Sequence, residues 1–80
     1  MTSLQPPNQD TPVFVSAYDT NASHREVVVC RLDGTLTEPQ PCRAQRDMHR
    51  FVEHERPGTD LDDPSQVYWV DHPGRWPHER

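Results

Sequence analysis

The sequence predicts an α+β domain: a small curled sheet of three to four strands in hairpin succession, with one amphipathic helix packed on it, in the order β-β-β-α-β. Three observations predict it. The runs 13–18, 26–32 and 67–70 are rich in valine and aromatic residues, as strands are. Residues 42–55 repeat their apolar positions with a helical period. The nine prolines all fall outside these runs and, with Asp-Gly and Pro-Gly pairs, act as turn signals.

Residues 1–11 are polar and proline-containing with no periodicity, and read as a disordered N-terminal tail. A single domain is expected over 12–76, followed by a flexible tail at 77–80. The first strand opens at Pro12, where a missing N–H is tolerated, and runs through Val13-Phe14-Val15. A polar turn, Asp19 to Ser23, leads to the second strand. There Val27 and Val29 point one way while Val28, Cys30 and Leu32 point the other. Both faces are apolar, which reads as a central strand. Asp33-Gly34 signals a type I′ hairpin into a short third strand at 35–38, which Pro39 and Pro41 end. Pro41 then suits the first turn of a helix. On that helix Ala44, Met48, Phe51 and Val52 fall within an arc of ~100°, with charged residues opposite. Glu55 breaks the pattern and reads as a frayed end before Pro57-Gly58. An acidic loop precedes the last strand, Val67-Tyr68-Trp69-Val70, whose partner strand the pattern does not decide. His72-Pro73-Gly74-Arg75 has the residues of a type II turn.

Composition narrows the function. Eighty residues allow one small domain. Leu, Val and Phe total 14 of 80 with no Ile, close to the compositional edge of disorder. No run is long enough to span a membrane. The net charge of −5 argues against nucleic acid, and the arginines Arg43, Arg46 and Arg50 are interleaved with Asp47 and Glu53. All eight basic residues are Arg, which points to a GC-rich genome, bacterial or phage. With no signal peptide visible, a cytoplasmic protein is expected, in which Cys30 and Cys42 would stay reduced, although the sequence leaves their pairing open.

The motif inventory supports neither an enzyme nor a cofactor. There is no G-x-S-x-G elbow, P-loop or H-E-x-x-H. His49 and His54 stand ~140° apart on the helix, and the cysteines are not a local pair, so no metal is expected. Cys42 is the better nucleophile candidate, since a helix N-terminus favours a thiolate, but no base can be set beside it. The aromatic cluster is the more informative feature. Tyr68, Trp69 and Trp76 lie within nine residues of one another. Either Trp76 folds back over the strand, with Arg75 placed for a cation–π contact, or the cluster remains as a partner surface. The expected function is a small non-enzymatic protein-binding or regulatory module, self-associating through its last strand as a homodimer, with Tyr68, Trp69, Arg75 and Trp76 at the contact. The alternative is an acidic inhibitor or nucleic-acid mimic of phage type, presenting Asp60, Asp62 and Asp63.

Overall fold

The computed structural model describes residues 6–76. Four strands form one mixed sheet in the order β3-β2-β1-β4, with β1 at Val13–Val15, β2 at Arg25–Val29, β3 at Gln40–Cys42 and β4 at Val67–Trp69. The helix α1 spans Gln45–Glu55. The predicted α+β order is therefore the observed one. Neighbours β1, β2 and β3 pair antiparallel, and β4 crosses back to lie parallel to β1, with Val13 opposite Val67 and Val15 opposite Trp69. The helix packs on one face. Val13, Val15, Val27, Val29 and Val67 meet Met48 and Val52 there in the core, as the alternation of side chains along each strand requires.

The third strand is not where the sequence placed it. Residues 35–38 supply only a bridge from Leu36 to Cys30, and the strand proper contains Pro41. The register explains why proline is tolerated. Glu26 turns its carbonyl toward β1, where it accepts the Ser16 N–H, so the facing Pro41 is not asked for a hydrogen bond. With 40–42 used as strand, the helix starts at residue 45 rather than 42. Asp47 at its third position accepts the Arg43 N–H and so ties the entry to the first turn.

The hairpin is also of another kind. Gly34 has φ +92, but Asp33 is not among the residues with positive φ. The Gly34 N–H bonds to Arg31 O and the Arg31 N–H to Thr35 O. This is a three-residue loop closed by a left-handed glycine rather than a type I′ turn. Glu55 is not frayed: its carboxylate accepts Arg31 Nε at 2.8 Å, so the acid in the apolar arc lands on a cation at the base of the Gly34 loop. Part of the expected N-terminal tail touches the body of the domain. Gln9 bonds to Arg31 O and Leu32 O and receives Arg56, and Thr11 donates to Ser65 O. Residues 1–5 and the segment 77–80, both expected as tails, lie outside the described residues.

Candidate protein-interaction site

Strand β4 is the outer strand beside β1, so among the described residues one of its sides has no strand neighbour. Its pairing with β1 uses Gln66 O, which receives the Val13 N–H, and the Val70 N–H, which reaches Val15 O. Backbone groups alternate along a strand, so those of Val67 and Trp69 point to the free side. Side chains alternate as well. Val67 is buried and Trp69 half-buried on the helix side, while Tyr68 is 45% exposed on the opposite face, stacked on Phe14 at 5.7 Å.

Trp76 takes the folded-back course. It is buried, meets Trp69 edge-on at 6.0 Å and donates its indole N–H to Gln45 Oε1 at 2.8 Å. The type II turn that returns it is present, with Arg75 N–H on His72 O and Gly74 at φ +74. The cation over the rings is Arg25, however, not Arg75. Arg25 is fully buried at the start of β2, its guanidinium 5.3 to 5.9 Å from the rings of Tyr18, Trp69 and Trp76. Its Nε and Nη2 donate to Arg75 O, Nη2 also to His72 O, and Nη1 to Ser16 O and to Asp71 Oδ1 at 2.7 Å. Arg75 thus contributes its carbonyl to the hub, and its side chain stays exposed. The Arg25 guanidinium beside Asp71 donates a hydrogen bond that holds the carboxyl below its ordinary pKa.

An open groove of about 710 Å³ runs along β4, lined by all three strand residues, by Leu61, Asp62 and Pro64 before the strand, and by Pro73 and Trp76 after it. The acidic loop that forms its near wall is largely self-satisfied. Asp60 Oδ1 accepts the Asp62 N–H, and Asp63 Oδ1 accepts the N–H and hydroxyl of Ser65, which keep its carboxyl low. Asp62 is exposed beside them.

Cys42 does not have the character of a nucleophile. Burial pushes its thiol up to about 11, with the nearby Asp47 charge adding to the rise. It is 1% exposed, because the strand takes it inward instead of the helix terminus taking it outward. Both cysteines are free and buried. Among the described residues no group of three or more His, Cys, Asp or Glu is placed to hold a metal, and no helix is long and apolar enough to cross a membrane. Sequence reasoning missed Arg25 and the pairing of Phe14 with Tyr68. The parity of Arg25 with Val27 and Val29 was the available signal for the first. No protein-family model, curated protein or solved structure matches the chain.

Proposed function

We propose that the chain is a small non-enzymatic protein-binding module that self-associates through β4. The observation that carries this reading is the contrast between the two sheet edges. The β3 edge holds Pro39 and Pro41, which cannot donate to an added strand. The β4 edge has no proline within it, directs backbone groups of Val67 and Trp69 outward, and is flanked by the aromatic groove. With Trp76 folded onto the core, what remains for a partner is the backbone edge of β4 and not an exposed indole; such an edge is a pairing template, and a second copy offers the matching strand. Antiparallel pairing of two β4 strands about Tyr68 brings the loop before the strand in one copy beside the turn after it in the other. Counted outward from Tyr68, Asp62 of each copy comes level with the Gly74–Arg75 turn of the other, and both charged side chains are exposed.

The acidic-mimic alternative has less support, because Asp60 and Asp63 spend their carboxylates on their own loop. The test is sedimentation equilibrium from micromolar to millimolar protein. Wild type shifts toward twice the monomer mass. Arg75→Asp turns two symmetry-related rim pairs into repulsions and weakens association about tenfold, at roughly 0.7 kcal/mol per pair. The double variant Asp62→Arg/Arg75→Asp restores it. A wild type that stays monomeric across the range, or a double variant with no recovery, overturns the proposal.

A further inference from the structure

The face of the sheet away from α1 carries a second surface, which shares Tyr68 with the β4 edge. Side chains that do not enter the core emerge there, and the register lines them up: Val28 on β2, Phe14 on β1 and Tyr68 on β4 form one row across three strands. Val70 extends the row at 47% exposure, and Leu36, bridged to Cys30, lies beyond its other side at 53%. Among the described residues no helix covers this row, since the helix of this chain packs against β2 and β3 from the core side. A sheet apolar on both faces with a layer on only one is an incomplete sandwich.

From this geometry we infer that the helix-free face docks an amphipathic, basic α-helix of a partner protein. The width of the row selects a helix. Three strands at ~4.8 Å spacing span roughly 10 Å, the diameter of one α-helix with its side chains. A helix seated over Phe14 therefore reaches Val28 and Tyr68 together. The charge selects its flanks. Glu26 is exposed on this face, its side chain 53% accessible beside His24, and Glu38 is exposed two residues after Leu36. Among the described residues the arginines are placed elsewhere: Arg25 in the core, Arg31 on Glu55, Arg56 on Cys30 O, Arg75 on the turn after β4, and Arg43, Arg46 and Arg50 at or on the helix. With His24 the base beside Glu26 at 3.6 Å and the arginines elsewhere, the two acids favour lysine or arginine beside the apolar stripe of the occupant. A second copy does not meet the requirement, because α1 already spends its apolar stripe, Met48 and Val52, on its own core.

The test uses the full chain, labelled with nitrogen-15, and three 15-residue probe peptides. One is a helix-forming peptide with leucine at i, i+3, i+4 and i+7 and lysine flanks. The second has the same leucines with glutamate flanks, and the third alternates leucine and lysine to favour a strand. The lysine-flanked helix is expected to saturate, to shift the amides of Phe14, Val28 and Tyr68, and to bind at least tenfold tighter than either control. Val28→Lys, a half-buried site outside the core, is expected to abolish the shifts while the wild-type spectrum elsewhere is kept. Glu26→Lys, at an exposed site, is expected to narrow the lysine-over-glutamate preference. Equal binding of the three peptides, no saturation at millimolar peptide, or shifts confined to the groove beside β4 overturns the inference. So does a face whose amides shift with protein concentration alone, which would make a second copy the occupant. Repeating the titration on Arg75→Asp separates this surface from the β4 edge: a monomeric variant that still binds the lysine-flanked helix leaves the two readings independent.

Discussion

Arg25 shows what a single residue can decide. A buried guanidinium is costly unless its donors are satisfied, and here three carbonyls and one carboxylate receive them while three rings line the site. Little of this was legible, because an arginine at a strand start ordinarily reads as solvated. Only its parity with two core valines placed it, and the partners come from residues with which no local pattern connects it. The pH dependence follows from Asp71. Its folded pKa lies below the ordinary carboxylate value, so its contribution is fully present above about pH 4 and is lost as pH falls through the folded value. Glu55, held low first by the Arg31 hydrogen bond, acts with the same sign. Thermal melts from pH 7 to pH 2 are therefore expected to show a falling midpoint below about pH 4. Asp71→Asn should lower the neutral-pH midpoint and flatten that fall; an unchanged slope would mean that the pair contributes nothing.

At the scale of elements, hydrophobic alternation located β1, β2 and β4, and helical period located α1, to within a few residues. Their faces followed too, since Val27 and Val29 are core and Met48 and Val52 face them. What failed was punctuation. Pro39 and Pro41 read as stops, whereas at an edge with an unneeded N–H a proline can sit inside the strand. The Asp-Gly pair marked the right turn with the wrong geometry, because a glycine closing a three-residue loop has the same local sequence as one in a two-residue loop. Gly34 tests the distinction. A Cβ there would meet only Gln9 Nε2 at 3.7 Å, so the cost of substitution is backbone strain and not crowding. Gly34→Val should lose about 1–2 kcal/mol in denaturant melts, and Gly34→Asn distinctly less, since asparagine tolerates a left-handed backbone. Equal losses would point to a contact rather than to φ.

For the whole molecule, the aromatic residues near the C-terminal end were identified, but their division of labour was not. Trp69 and Trp76 close the core, and Tyr68 with Phe14 lies outside it. Burial of this kind needs tertiary geometry that alternation alone cannot supply, because either face of β4 was apolar enough to go inward. A core this small supplies roughly 3–5 kcal/mol, so association linked to folding should be visible. The melting midpoint of wild type is expected to rise with protein concentration and that of Arg75→Asp to rise less; a midpoint independent of concentration counts against the β4 dimer.

The Arg25 hub also orders events in time. It joins residues 50 apart in the chain, and β4 reaches β1 only after every other element has been laid down between them. Closing so long a loop costs entropy that the nearby hairpin and helix do not require. The chain has two tryptophans, Trp69 and Trp76, and both ride on the segment that arrives by this long route. Indole fluorescence is therefore a clock for the final docking, whereas far-ultraviolet ellipticity from α1 keeps time for the steps before it.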